Sequence, residues 1–294
     1  MLLVFLGLVA VAFQWGAGAY RQEFGGHPDE AAHFITALMI HDYLASAAGS
    51  HPMRFAERYY EHYPKVALGH WPPVFYVVQA GWMLVWGVSR AAALGLLAVV
   101  GVLTARLLAG TVARCCGWVS GLGAALLWLS VPLVQIHTGM VMADLPVTLI
   151  MLLAVIALGR FLEAGRARDA LAFGVWSGLA ILTKGSAMAL ALVVPSALVL
   201  SGRYAVLRRP VLWGSAAVVA VLAGPWTAYF QSVNKEGWAD TPWWQFVRQA
   251  LPYYPRVLVQ QVGVLGIGLA VLLTAWHGVW MTLVAAGVAQ RVAD

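Results

Sequence analysis

Long apolar runs joined by short basic loops make up most of this 294-residue chain. A helix needs about 20 apolar residues to cross the hydrocarbon layer of a membrane. The run 171–200 is interrupted at Thr183-Lys184-Gly185-Ser186, so we expect a hairpin of two short spans there with Lys184 near its outer apex. The pattern predicts further spans at 1–20, 91–109, 117–137, 145–160, 211–229 and 257–276.

A polar segment at 21–89 separates the first span from the rest, and we expect it to form an external loop with juxtamembrane helices. Pro28 is suited to the first turn of a helix that ends near Ala47. A second, strongly charged helix is predicted at about 52–62. The fold class is therefore expected to be all-α, a polytopic membrane helix bundle with one elaborate external loop.

The apolar segment Trp71–Val88 allows two interpretations, a crossing helix or an interfacial or re-entrant one. If it does not cross, the basic clusters near Arg106, Arg160 and Arg208 lie on the same side as the N-terminus, opposite the acidic loop. Cytoplasmic loops carry an excess of Lys and Arg, so the charge distribution favours the interfacial helix. The loop 230–255 is expected to be polar and rich in aromatic residues.

Composition supports a membrane protein and excludes other classes. The chain is 62% hydrophobic and 10% charged, whereas soluble domains carry about 25% charged residues. The net charge of +6 is spread over short loops and does not predict nucleic-acid binding. Residues 1–20 lack a basic start and a convincing cleavage site, so we expect an uncleaved span. The apolar run 278–289 is too short to cross, and we expect a single domain over 1–294 that is shortened at its C-terminus.

The largest concentration of polar side chains surrounds the pair Asp29-Glu30. Six of the twelve acidic residues lie between Glu23 and Glu61, and six of the eight histidines between His27 and His70. Acidic residues in the first turn of a helix favour its dipole without any further role. A carboxylate at a membrane surface can also act as a general base, with or without a divalent metal ion.

Five other residues are candidates for the site, each with a structural alternative. His33 and His70 are possible metal ligands, or histidines that hydrogen-bond at the interface. Arg90 and Lys184 are cations at the outer ends of apolar segments, where they either snorkel or bind a phosphate. Asp144 is a carboxylate at the edge of a span, and it either caps a helix or serves a function.

These segments together resemble, in order and spacing, the GT-C glycosyltransferases of the protein O-mannosyltransferase and aminoarabinose-transferase branch. The resemblance covers about residues 1–275. Its motifs are Pro28-Asp29-Glu30, Trp71-Pro72-Pro73-Val74-Phe75-Tyr76, Arg90, Asp144-Leu145-Pro146, Gly178-Leu179-Ala180-Ile181-Leu182-Thr183-Lys184-Gly185 and Pro225-Trp226.

The resemblance implies an inverting transfer of a sugar from a polyprenyl-phosphate donor to a glycan, lipid or protein acceptor at the outer face of the cytoplasmic membrane. It implies that Asp29 is the catalytic base with Glu30 as its partner, and that the loop faces the periplasm or exterior. Arg90, Lys184 and His70 are expected near the donor phosphate. Asp144 and His33 are expected to orient the acceptor or a metal ion.

Two departures from the family pattern leave alternatives open. Many relatives have His or Lys directly before the Pro-Pro segment, where this chain has Trp71 and the nearest polar side chain is His70. Relatives are also usually longer. A lipid or solute transporter, or an inactive shortened paralogue, are the rival interpretations, although a transporter would carry charges near the bilayer midplane and internal repeats.

Overall fold

The computed structural model describes residues 1–24, 26–67, 69–235, 242–262 and Gly268, and these ranges contain helices and loops but no strand. The α-helices are α1 (Leu2–Gly16), α2 (Glu30–Ser46), α3 (Pro52–His62), α4 (Val74–Trp86), α5 (Arg90–Ser130), α6 (Pro132–Thr138), α7 (Asp144–Ala164), α8 (Ala167–Ile181), α9 (Leu190–Ser201), α10 (Pro210–Lys235) and α11 (Trp243–Val262). Short 3₁₀ turns occupy Ala19–Arg21, Gly185–Ala189 and Tyr204–Arg208. The predicted all-α class is confirmed.

Three of the described helices are long and apolar enough to cross a membrane, namely α5, α7 and the part of α10 up to Phe230. The chain is accordingly a multi-pass membrane protein. The shorter apolar helices are α1, α4 and the segment Gly185–Ser201.

The first predicted span is shorter than expected. Helix α1 has 15 residues, which corresponds to about 22 Å at 1.5 Å per residue. The helix stops at Gly16, and Gly18 adopts a left-handed conformation with φ 71° before the 3₁₀ turn. Tyr20 therefore lies in a turn that leads into the loop before α2 and does not complete the span.

Helix α5 corrects two predicted boundaries. The expected loop between residues 109 and 117 is helical, and the break comes at Gly117, where φ 82° and ψ 167° interrupt the helix. Only glycine adopts this backbone conformation readily, which explains the position of the break. The expected span 117–137 is interrupted again after Ser130, because Pro132 opens the separate helix α6.

The two helices predicted between residues 28 and 62 form in outline. Helix α3 has the predicted bounds, while α2 begins at Glu30, two residues after Pro28. Helix α4 packs against α2. Its 13 residues extend about 20 Å, well short of a hydrocarbon layer about 30 Å thick. This length agrees with a segment that does not cross; the side on which the loop lies remains a prediction.

Helices α7, α8 and α10 pack closely together. At Gly174 on α8, a Cβ atom would lie only 2.6 Å from the backbone oxygen of Ser215 on α10. A small residue is therefore required where these two backbones meet, as is common between membrane helices. Helices α8 and α9 flank the predicted break that contains Lys184, while the crossing of the membrane by these two segments remains a prediction.

The chain divides into two compact units, Met1–Leu129 with Val134–Ala239, and Ser130–Leu133 with Asp240–Asp294. The predicted loop 230–255 is wrong from Trp243 onward, where α11 begins. Most of the predicted last span and the run 278–289 lie outside the described residues. The single domain over 1–294 and the external loop 21–89 remain predictions.

Candidate functional site

Asp29 occupies the N-cap position of α2, but its carboxylate does not cap the helix. The side chain makes no capping hydrogen bond and is 45% exposed. The imidazole Nδ1 of His27 lies 3.7 Å from its Oδ2 and accepts a hydrogen bond from the Asp29 backbone N–H at 3.2 Å. A carboxylate in this position is reachable from outside and is free to accept a proton.

Glu30, the next residue, has the opposite environment. Its side chain is fully buried, and its Oε1 accepts hydrogen bonds from Arg90 Nη2 at 2.9 Å, Arg90 Nε at 3.1 Å and the Val141 backbone N–H at 3.1 Å. Its Oε2 has no hydrogen-bond partner among the described residues. The predicted acidic pair is therefore divided into one exposed carboxylate and one buried carboxylate that joins structural elements.

Arg90 uses its whole guanidinium group within the protein. Besides Glu30, it donates to the backbone oxygens of Ala19, Gln22 and Gly139. These bonds account for all five N–H donors of an arginine. A contact between Arg90 and a donor phosphate remains a prediction, and it would require one of these bonds to be replaced.

Asp144 and Lys184 form an ion pair between the start of α7 and the break after α8. Lys184 Nζ lies 2.7 Å from Asp144 Oδ1, and both side chains are about one-third exposed. His137 Nε2 lies 3.8 Å from Asp144 Oδ2. The helix α7 begins at Asp144 with Ala143 as its N-cap residue, so the capping alternative for Asp144 is not the arrangement that forms.

His33 lies in an aromatic pocket formed by the Pro-Pro segment. Its ring stacks on Trp71 at 4.2 Å between centroids, and its Nδ1 is joined to the Tyr76 hydroxyl by a 2.7 Å hydrogen bond. Only 4% of the residue is exposed. Trp71, which stands where many relatives have a cation, thus forms one wall of the site.

The electrostatics of His33 bring the separate candidates together. Burial lowers the pKa of its imidazole to about 4; the charges of Asp29 and Asp144 oppose this shift, while those of Lys184 and His27 add to it. His33 is accordingly neutral at neutral pH. Charges act on one another appreciably only over short distances, so this influence places Asp29 and the Asp144–Lys184 pair in the neighbourhood of His33.

A backbone contact connects two of the motifs directly. The Val74 N–H, which follows the Pro-Pro segment, donates to the Leu182 oxygen at 3.0 Å, two residues before Lys184. Thr183 is buried, and its hydroxyl donates to the Leu179 oxygen of the preceding turn. The start of α4 therefore fixes the end of α8 and, with it, the position of Lys184.

His70 is placed at the edge of this site. It is exposed, and its ring meets Trp71 edge-on with 5.0 Å between centroids. Its predicted phosphate contact stays a prediction. In the ranges that the structure describes, no group of three or more His, Cys, Asp or Glu side chains could hold a metal ion, and the metal-orienting roles of His33 and Asp144 also stay predictions.

Sequence reasoning missed two polar contributors to the site. Tyr76 belongs to the Pro-Pro motif. Residues three apart in a helix lie on one face, so the sequence alone could have placed Tyr76 on the same face as Pro73. His137, a polar residue in an apolar run, was the other available signal. Neither indicates its partner, because the contacts with His33 and Asp144 join residues distant in sequence.

An apolar cavity lies beside the break that contains Lys184. It has a volume of about 480 Å³ and is bounded by α8, α9 and α10. Ile181 and Ala187, on either side of the break, contribute to its lining, whereas Lys184 itself does not. The segment that carries the cation thus borders a space suited to a hydrocarbon chain.

Comparisons with known proteins identify a family and a fold. A sequence profile of the family described as Dolichyl-phosphate-mannose-protein mannosyltransferase matches residues 70–229, more than half of the chain. That range includes the Pro-Pro segment, Arg90, Asp144 and Lys184. A comparison with curated proteins found no match.

Two solved structures share the fold. ArnT from Cupriavidus metallidurans bound to undecaprenyl phosphate is 18% identical, with a TM-score of 0.64 over 92% of this chain and 50% of that chain. The same protein in the apo state is also 18% identical, with a TM-score of 0.55 over 79% of this chain and 42% of that chain. This chain therefore spans about half the length of the solved protein that it resembles.

Proposed function

Because this chain belongs to the dolichyl-phosphate-mannose-protein mannosyltransferase family, we propose that it is a membrane glycosyltransferase that uses a polyprenyl-phosphate sugar. The observation that carries the proposal is the Lys184–Asp144 ion pair in a segment that borders an apolar cavity, together with the exposed carboxylate of Asp29 at the start of α2. The acceptor is a glycan, lipid or protein. The reaction takes place at the outer face of the cytoplasmic membrane, with the Asp29 loop toward the periplasm or exterior.

Asp29 is proposed as the general base. An acceptor hydroxyl or amine attacks the anomeric carbon, the bond from that carbon to the phosphate oxygen breaks, and Asp29 takes the acceptor's proton. A single displacement of this kind inverts the anomeric configuration. Exposure of Asp29 and the lack of a capping bond support this role, since its lone pairs remain available for the proton.

Lys184 is proposed to hold the phosphate of the donor. Negative charge grows on that phosphate as it leaves, and a cation fixed beside it stabilises the transition state more than the ground state. The apolar cavity lined by Ile181 and Ala187, on either side of the break that contains Lys184, supports a polyprenyl chain near this segment. The related ArnT structure contains undecaprenyl phosphate, which is a lipid phosphate of the proposed kind.

The surrounding residues are proposed to position these two groups. Arg90 holds Glu30 in place, and Glu30 directly follows Asp29 at the start of α2. His33 is neutral and packs on Trp71, and it lies near both the proposed base Asp29 and the cation Lys184. A neutral ring neither competes for the acceptor's proton at neutral pH nor attracts the phosphate away from Lys184.

The test is transfer of a labelled sugar. The purified full chain is incubated with polyprenyl-phosphate sugars carrying a radiolabel in the sugar, together with a membrane extract, and the labelled product is separated by size and by lipid solubility. We expect label in one acceptor class with wild-type protein and a large loss with Asp29→Asn. Equal labelling with and without the protein, across the donors tested, would contradict the proposal.

A further inference from the structure

The pairing of Lys184 with Asp144 reduces the positive charge that a phosphate would otherwise meet. Lys184 Nζ is 2.7 Å from Asp144 Oδ1, and an ammonium group has three donors. One donor is used by Asp144, so a phosphate can bind the others without breaking the pair. Asp144 Oδ2 is buried and has no hydrogen-bond partner among the described residues, so no donor hydrogen bond offsets its charge.

The substrate and product of the proposed reaction differ in charge at the phosphate. A sugar linked through a phosphodiester leaves one negative charge on the phosphate. Once the sugar has been transferred, the lipid phosphate is a monoester with a second pKa of about 6 and a charge of about −1.5 to −2 at neutral pH. A lone lysine would bind the more highly charged product better than the substrate.

Resting on the proposed function, we propose that Asp144 is a specificity-determining residue that makes the site favour the singly charged phosphodiester over the doubly charged monoester. With Asp144 present, the Lys184 pair attracts a phosphate less strongly than a lone lysine would, so the extra charge of the product gains less. The product is then released instead of occupying the site. This role differs from the acceptor- or metal-orienting one predicted from the sequence.

The size of the effect follows from Coulomb's law. A phosphate bound to Lys184 lies within several Å of the Asp144 carboxylate, because both contact the same nitrogen. One additional charge at about 7 Å, with an effective dielectric constant of about 40 for a partly exposed site, changes affinity by about 10-fold. Both side chains are about one-third exposed, so the surrounding water reduces the effect below that of a dry site.

Other charged groups in this region are His33, on which Asp29 and His27 act together with the pair, and His137, whose Nε2 lies 3.8 Å from Asp144 Oδ2. These groups are the same in wild type and in the Asp144 variants, so a comparison of the proteins at one pH removes their contribution. A phosphodiester does not titrate in this range, so the ratio of monoester to diester affinity separates the titration of the ligand from that of the protein.

The experiment measures binding of a polyprenyl monophosphate and its methyl diester to the purified full chain at pH 5 and pH 8. For wild type, we expect the monoester-to-diester affinity ratio to change little between the two pH values. For Asp144→Asn, we expect that ratio to rise about 10-fold at pH 8 relative to pH 5. Asp144→Glu keeps the charge and should behave as wild type.

The outcomes distinguish this inference from the proposed function. An unchanged ratio in Asp144→Asn at pH 8, with both ligands bound, overturns the role of Asp144 and leaves the glycosyltransferase proposal standing. A wild-type protein that binds neither ligand overturns both. Asp144→Ser removes the same charge with a side chain suited to the start of a helix, so either folded variant decides the question.

Discussion

Arg90 Nη2 lies 2.9 Å from Glu30 Oε1, and the Glu30 side chain is entirely buried while that of Arg90 is 11% exposed. The pair joins the first residue of α5 to the first residue of α2. Arg90 adds bonds to the oxygens of Ala19, Gln22 and Gly139. One guanidinium group therefore holds together the start of α5, the start of α2 and the turn before α2. Asp29 directly precedes Glu30, one of the residues held in this way.

Removing one partner of this pair should destabilise the protein strongly. Arg90→Ala leaves the Glu30 carboxylate buried without a counter-charge, and such losses typically cost about 3–5 kcal/mol. We expect a marked fall in the melting temperature of the purified protein. Arg106→Ala removes an exposed arginine from the same helix and should leave the melting temperature almost unchanged.

Stability measurements on variants of both partners separate the structural role of Arg90 from its predicted phosphate contact. A double-mutant cycle with Glu30→Gln and Arg90→Gln should give a large coupling in stability, because each change removes the same interaction. If Arg90→Ala instead keeps the wild-type melting temperature and loses only donor binding, the structural assignment is wrong and the phosphate contact is favoured.

Asp29→Asn should lower the transfer rate without lowering stability. Asparagine keeps the size of the side chain but cannot accept the acceptor's proton, and general-base catalysis typically contributes about 100- to 10,000-fold. Donor binding should change little, since the lost interaction belongs to the transition state. The melting temperature should also hold, because the Asp29 side chain makes no capping bond.

Glu30→Gln is the control at the neighbouring residue. For this variant we expect the main effect on stability, whereas for Asp29→Asn we expect it on the transfer rate. It should lose stability through the broken pair with Arg90, and any loss of rate should follow from that. A folded Asp29→Asn enzyme that retains most of its transfer rate would remove Asp29 as the base.

Lys184→Ala should weaken binding of the donor phosphate. A hydrogen bond to a charged group contributes about 1.5–3 kcal/mol, so we expect binding of a polyprenyl-phosphate analogue to fall by about 10- to 100-fold. Lys65→Ala removes an exposed lysine of the external loop and should bind as wild type does. Equal affinities for wild type and Lys184→Ala would show that Lys184 only pairs with Asp144.

The fold was largely accessible from the sequence, because apolar run length is a local property, and isolated charges indicated the residues that are proposed for the site. Helix α3 and the break at Lys184 match their predicted positions. The misplaced boundaries in α1 and α5 follow from single glycines, Gly18 and Gly117, whose left-handed conformations cannot be read from hydropathy.

The sequence could not predict that Asp29 is exposed while Glu30 is buried. Adjacent residues on a helix point about 100° apart, so one can face outward while the other is buried. Which of the two is buried depends on Arg90, which is 60 positions away from Glu30 in the chain. Such long-range pairing is set by tertiary packing and leaves no local signal.

His33 should make the folded state sensitive to acid. Its pKa is lowered from 6.5 to about 4, mainly by burial. Between these values the unfolded chain binds a proton that the folded chain excludes, so the contribution of His33 favours unfolding increasingly as pH falls from about 6.5 toward 4. Above pH 6.5 this effect is absent.

Thermal melts of the purified protein at pH 5 and pH 7.5 test this prediction. The drop in melting temperature at pH 5 should be smaller in His33→Gln than in wild type. His62→Gln changes an exposed histidine of α3 and should leave the drop as it is. The same pH-dependent drop in all three proteins would mean that His33 does not govern the acid response.

Helix α4 should lie on the outer side of the membrane without crossing it. Its 13 residues reach about 20 Å, and only a non-crossing α4 leaves the later basic loops on the cytoplasmic side. Single cysteines at His70 and Val88, both exposed, report the two ends in a background with Cys115 and Cys116 changed to Ser. Gly69 is unsuitable because its φ is +71° and a Cβ there would lie 2.1 Å from the Phe230 ring.

Both cysteines should react with a membrane-impermeant maleimide added to intact cells. A cysteine at Arg114 serves as the internal control, and it should react only after the membrane is permeabilised, since the predicted topology places it inside. Labelling at position 70 together with protection at position 88 would show that α4 crosses. That result would move the basic loops to the side of Asp29, and the proposed orientation of the catalytic loop would fall with it.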